Sequence, residues 1–158
     1  MAAIEGHSPA GGCLISLTAD ERVMLRGKYQ IGLNETKLGI VAPPWFIDSY
    51  VAVIGQRQAD RLLQLGHMVG PDEALAMGMV DAVVDADVRD HAVTMAEPYL
   101  KVPAVARHMA KMAVRGPMID RLKHGRDADM DNFMGLITQD KVQAGLGMYL
   151  ASLAKPKK

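Results

Sequence analysis

The chain has 158 residues, enough for one domain, and is 49% hydrophobic and 23% charged, a balance that supports a packed core. Lys and Arg number 18, as do Asp and Glu, so the formal net charge is zero, with no global attraction to nucleic acid or an acidic membrane. The single cysteine, Cys13, excludes an internal disulfide framework, and no stretch approaches the roughly 18 apolar residues of a membrane span.

In chain order, Ala2-Ala3-Ile4 reads as the end of a buried strand. Glu5 to Gly12, with Gly6, Pro9, Gly11 and Gly12, reads as a loop, and Cys13 to Ala19 as a buried helix opening from the glycine pair. Val23-Met24-Leu25 and Tyr29-Gln30-Ile31 are predicted strands flanking a turn at Gly27-Lys28. Gly32 to Ile40 forms a shaped loop. Pro43-Pro44-Trp45 starts a helix whose apolar face runs through Ile47, Tyr50, Val51 and Ile54 to a stop at Gly55.

Gln58 to Leu65 is predicted helical and closed by Gly66. Asp72 is the expected N-cap of a helix over Glu73 to Met77, and Met79 to Val84 a short strand. From Val88 the pattern is helical, with breaks expected near Pro98, Pro103 and Gly116-Pro117.

The five histidines, His7, His67, His91, His108 and His124, show no metal-ligand spacing. One cysteine completes no zinc site, so no metal is expected. Neither a nucleophile elbow nor a phosphate-binding glycine loop is present. Two features carry chemistry. The first is Pro9-Ala10-Gly11-Gly12-Cys13, where free N–H groups and the dipole of a helix N-terminus could hold an oxyanion. By spacing alone, a tight turn is the plainer reading. The second is Glu35, a carboxylate among Leu33, Leu38 and Ile40, suited to a raised pKa and a role as base. Taken by itself, a surface glutamate in a turn is the plainer reading. Together they suit proton removal beside a thioester, where the new charge falls on the thioester oxygen.

The same residues carry a family resemblance. Ala2 to Gly6 followed by Pro9 to Cys13 resembles the oxyanion-hole segment of the crotonase superfamily, and Ile31 to Pro43 resembles the mitochondrial Δ3,Δ2-enoyl-CoA isomerases within it. Ala59 to Gly66, Glu73 to Asp81, Arg126-Asp127-Ala128-Asp129 and Phe133 to Leu150 extend the likeness. It implies an α/β fold: the C-terminal part of a ββα spiral, with a partial core over 1–87, a helical oligomerisation region over 88–154 and a tail at 155–158. It implies Glu35 as catalytic base, Gly11 as an oxyanion-hole donor, and Gly12, Asn34 and Trp45 along the substrate. Asn34 also fits a purely loop-shaping part, and Trp45 with Phe46 fits core packing. Leu14 stands where related hydratases carry a second catalytic glutamate, which favours double-bond migration over hydration.

The resemblance further implies an acyl-CoA thioester as substrate, no cofactor, a homotrimer and a mitochondrial matrix location, with no nucleic-acid or membrane partner. Neither terminus reads as a targeting sequence. Lys155 falls near a position that reaches a neighbour's CoA in the family, but a solvated lysine serves as well; Leu136 replaces an aromatic of some relatives. Family domains begin well before the strand that Ala2-Ala3-Ile4 resembles, so their first oxyanion donor and most of the CoA-binding wall have no counterpart. Losing one donor costs about 2.7–4 kcal/mol, so weak activity is expected of this chain alone. Two alternatives to an isomerase are a non-catalytic chain that assembles with full-length relatives and an enoyl-CoA hydratase.

Overall fold

The computed structural model describes residues 1–153; the expected tail, including Lys155, lies outside them. Strands β1 (Ala2–Ile4) and β2 (Ser8–Pro9) and helix α1 (Gly11–Thr18) make one winding of the chain. Strands β3 (Arg22–Leu25) and β4 (Ile31–Gly32), a one-turn 3-10 helix (Glu35–Leu38), α2 (Pro44–Ile54) and α3 (Gln56–Leu65) make the next. After α4 (Pro71–Ala76) and β5 (Ala82–Val84), helices α5 (Val88–Leu100), α6 (Ala104–Ile137) and α7 (Asp140–Leu153) follow.

Equivalent strands of successive windings stack in parallel. β1, β3 and β5 form one sheet, with Ala3 opposite Val23 and Val23 opposite Ala82. β2 and β4 form a second, with Ser8 opposite Ile31 and Pro9 opposite Gly32. The α/β spiral expected from the sequence is present. Parallel strands covered on both faces need apolar residues on both. Thus Met24 faces the main core with Leu17, Ile31, Tyr50 and Leu62, whereas Val23 packs on Val88 and Ala92 of α5.

A polar stitch locks the first sheet. The Arg22 guanidinium donates to the Met79 carbonyl (2.9 Å) and the Ala19 carbonyl (3.1 Å), and pairs with Asp81 at 3.0 Å. Asp81 also accepts the Arg22 backbone N–H at 2.7 Å. The long helix α6 is fastened by charge: Lys111 and Arg115 meet Asp20 at 2.7 and 3.1 Å. None of the described side chains of α6 is buried.

Several boundaries differ from the sequence expectation. The stretch expected as a loop from Glu5 contains β2, because Ser8 and Ala10 donate their N–H groups to the carbonyls of Gln30 and Gly32. The same ladder moves β4 to Ile31–Gly32 from the expected Tyr29 to Ile31, while Tyr29 packs edge-on against His7. Asp72 is not a cap: Gly70 is the N-cap, Pro71 takes the first helical position, and Asp72 pairs with Arg26. Met79 and Val80 turn their N–H groups back to Ala74, so β5 starts only at Ala82. Pro98 and Gly116-Pro117 do not interrupt α5 and α6. On either side of Pro117, Arg115 bonds the carbonyls of Thr18 and Ala19 and Arg121 pairs with Asp48, so packing overrides the lost N–H. The break expected near Pro103 is present between α5 and α6, and a further one, not expected, falls at Thr138-Gln139 between α6 and α7.

Candidate active site

The turn carrying Glu35 is held by close backbone approach. Gly32 has φ +153°, and a Cβ there would stand 3.1 Å from the His67 carbonyl oxygen and 3.2 Å from Met68 Cα. Only glycine lets β4 pass that backbone. Gly66, with φ +54°, brings the end of α3 against the turn: a Cβ would meet Thr36 Oγ1 at 2.7 Å and Lys37 Cγ at 2.9 Å. Thr36 in turn donates to the Leu63 carbonyl at 2.9 Å. From the other side, buried Val142 of α7 comes beside Gly39.

This frame leaves the Glu35 side chain inward and only 7% exposed. Its Oε2 finds no hydrogen-bond partner among the described residues. Burial pushes the carboxyl above its ordinary value, against a smaller opposing pull from its own backbone N–H. A carboxylate in this state is poised to accept a proton.

The first turn of α1 lies across the β2–β4 pair from the chain leading to Glu35. Ala10 holds the join with its N–H on the Gly32 carbonyl (2.9 Å) and its carbonyl on the Leu14 N–H (3.0 Å). Ala10 sits at φ 48°, ψ −116°, a conformation costing about 1–3 kcal/mol, and such strain concentrates at functional sites. It sets the direction of the Gly11 and Gly12 amides, which have no carbonyl four residues back within the helix. Gly11 is half-buried with open space where a Cβ would be, and Gly12 is exposed and 3.1 Å from Ser8 Oγ by the same measure.

Cys13 links the two halves. It is fully buried, and its thiol is pushed up to about 12, first by burial and then by the charge of Glu35, against a contact with the Gly32 backbone. The first turn of α1 therefore packs against β4, the strand that leads into the Glu35 turn. Asn34 precedes the turn at φ −112°, half-buried, with no capping hydrogen bond from its side chain. Trp45 stands apart. It stacks edge-on with Phe46 (4.5 Å) and lines a groove of about 330 Å³ between α2 and α6 with Asp48, Arg121, Arg126 and Asp129. Neither Glu35 nor Gly11 borders that groove. Leu14, buried at 5% exposure, adds no second acid. Among the described residues, no three His, Cys, Asp or Glu side chains gather as a metal site, and no helix is long and apolar enough to cross a membrane.

Two residues of this neighbourhood were not singled out in the sequence. Ala10 gives no signal, since only its backbone angle is unusual. Tyr50 reads as one more position on an apolar helix face, although a buried tyrosine hydroxyl always raises the question of its partner.

The enoyl-CoA hydratase/isomerase family matches residues 1–156. The chain is 47% identical to mouse mitochondrial enoyl-CoA delta isomerase 1 over 99% of its own length and 55% of that protein. Against the human protein of the same name the identity is 43%, covering 99% and 53%. The crystal structure of human mitochondrial delta3-delta2-enoyl-CoA isomerase superposes with a TM-score of 0.90 at 44% identity, covering 94% of this chain and 58% of that one. An enoyl-CoA hydratase from Mycobacterium avium subsp. paratuberculosis shares the fold at 21% identity and a TM-score of 0.81. The chain spans about half the length of the curated relatives it matches.

Proposed function

The chain belongs to the enoyl-CoA hydratase/isomerase family, and we propose that its residues serve a Δ3,Δ2-enoyl-CoA isomerase, with Glu35 as the base and the Gly11 amide as an oxyanion donor. The observation that carries this reading is a single buried, proton-hungry carboxylate in the turn after β4, the strand that pairs with β2 just ahead of the free amides of a helix start. Glu35 takes a proton from C2 of a 3-enoyl-CoA, and the electron pair moves into the thioester, where the Gly11 N–H stabilises the oxygen. The same carboxyl returns the proton at C4, so the double bond ends between C2 and C3 with no net gain or loss of atoms. No cofactor enters this proton shuttle. A buried leucine at position 14 supports migration over hydration, because adding water calls for a second acid or base.

Gly12 and Asn34 border the acyl-CoA in this reading. Trp45 acts from its own groove and contributes through the packing of α2. The mouse and human relatives named above are mitochondrial, which supports the matrix as the place of action. The test is Glu35→Gln in a polypeptide carrying this chain within a complete family domain, assayed with a 3-enoyl-CoA. Isomerisation should fall by about 10²–10⁴-fold; unchanged turnover removes Glu35 from the mechanism.

A second reading rests on α6, which buries none of its described side chains and exposes Val105, Met109, Val114 and Met130. Such an apolar surface suits assembly with copies of this chain or with relatives, a trimer by family resemblance. Size measurement with and without a full-length relative decides it; failure to co-assemble counts against it.

A further inference from the structure

The turn that carries Glu35 is gripped from two sides. On one side stands α3: Thr36 Oγ1 donates to the Leu63 carbonyl at 2.9 Å, and Gly66 passes against Thr36 and Lys37. On the other side stands α7, which packs on the turn and on α6. Val142, 7% exposed, is the buried side chain of α7 among its described residues. Its Cγ2 stands 3.8 Å from where a Cβ on Gly39 would be, an ordinary van der Waals distance. Among the described residues beyond the chain neighbours of Gly39, nothing else comes within 4 Å of that point. Gly39, at φ +78°, closes the turn: its N–H donates to the Thr36 carbonyl at 3.2 Å, and the Ile40 N–H donates to the Glu35 carbonyl at 3.3 Å. A displacement of Gly39 is therefore passed to the Glu35 backbone. α7 is itself held in this direction. The chain breaks at Thr138-Gln139, and the Gln143 side-chain amide, next to Val142, donates across the break to the Ile137 carbonyl at 2.6 Å.

We propose that Val142 is a positioning residue for Glu35: its side chain, resting on Gly39, holds the turn shut from the α7 side and keeps the carboxyl inward. The proposal rests on the reading of Glu35 as the base and adds the contact that fixes it. A 3-10 turn of four residues has few backbone bonds of its own, and those are poorly aligned, so its shape depends on what packs against it. Glu35 Oε2 has no hydrogen-bond partner among the described residues. Packing on the turn, rather than a polar tether on that oxygen, therefore aims the carboxyl. A base has to be held to within about 0.5 Å of its working position by neighbours that are themselves locked. Without the two γ-methyl groups of Val142, Gly39 gains room to move toward α7, and the turn can open while the α3 grip stays in place.

The test is amide hydrogen exchange by NMR in the ¹⁵N-labelled chain. In Val142→Ala the Gly39 and Ile40 amides should exchange about tenfold faster, while those of Val23 and Met24, in the middle strand of the first sheet, keep their rates. Unchanged rates at Gly39 and Ile40 overturn the proposal. So does an equal acceleration at Val23 and Met24, which marks a general loss of stability. If Val142→Ala does not fold, the parent chain decides: a nuclear Overhauser contact between the Val142 methyls and the Gly39 α-protons is expected, and its absence overturns the proposal. Within a complete family domain, Val142→Ala should lower kcat on a 3-enoyl-CoA by about tenfold and leave KM near the parent value. Val142→Thr keeps the shape of the side chain and should retain most of that kcat. Unchanged kcat in Val142→Ala, where Glu35→Gln is inactive, overturns the positioning role. Full activity in Glu35→Gln is a different failure: it removes the base reading, while the exchange rates still report the Val142 contact.

Discussion

Replacing Arg22 by Ala should be among the most damaging single changes in this chain. Arg22 is 6% exposed, and its guanidinium satisfies the carbonyls of Met79 and Ala19 and the carboxylate of Asp81. Deleting one partner of a buried ion pair costs about 3–5 kcal/mol, since the other charge stays behind unpaired. Asp81 keeps 35% of its side-chain surface and would retain the Arg22 backbone N–H, so the lower end, about 3 kcal/mol, applies. At this chain length that is a fall of roughly 6–12 °C in melting temperature. Urea unfolding should show the midpoint falling with the slope unchanged. Arg22→Met separates the causes: it keeps the aliphatic stem and should recover only the packing share. Asp81→Asn should cost less, and the double substitution should be non-additive by at least about 1 kcal/mol. If Arg22→Ala unfolds within about 0.5 kcal/mol of the parent, the stitch contributes nothing and the reasoning fails.

Glu35→Gln should stabilise the fold at neutral pH. The folded chain holds this proton more tightly than the unfolded chain between the ordinary value of 4.5 and the raised one. Stability therefore falls as pH rises through that window, and the gain from Gln should fade below it; thermal melts across pH read this directly. Cys13, with its thiol pushed up to about 12 and no exposed surface, should resist alkylation at pH 8 and react only when denaturant opens the core. Gly66→Ala forces a Cβ to within 2.7 Å of Thr36 Oγ1 at a positive φ, so it should cost about 1–3 kcal/mol and displace the Glu35 turn. Chemical-shift changes confined to α3 without movement at Thr36 and Glu35 would contradict that coupling.

Much of the architecture was legible in local pattern. Pro44 at the start and Gly55 at the end bound α2, and Gly66 in the left-handed region ends α3, because these residues act through their own backbone. The neighbourhoods of Glu35 and of Gly11-Gly12 were legible too, one as an acid among apolar residues and the other as small residues before a helix. The misplaced boundaries share a cause. β2, β4 and β5 are two or three residues long and exist only because distant strands supply their partners. Asp72, which resembles a cap, is taken by Arg26 from far away in sequence. Pro117 sits inside α6 because Arg115 and Arg121 anchor that helix on both sides.

The sequence by itself determined where α2 starts and where α2 and α3 stop, which residues are apolar enough to be buried, and that a lone carboxylate lies within a tight loop. Those properties depend on neighbours within a few positions. Only the tertiary structure decided that the loop turns Glu35 inward, that Ala10 is strained just ahead of the Gly11 and Gly12 amides, that Tyr50 is buried in one core with Cys13, and that Trp45 opens onto a groove that Glu35 does not border. The reason is that burial, and with it the energy of a charge, is set by everything packed around a group, most of which arrives from remote parts of the chain.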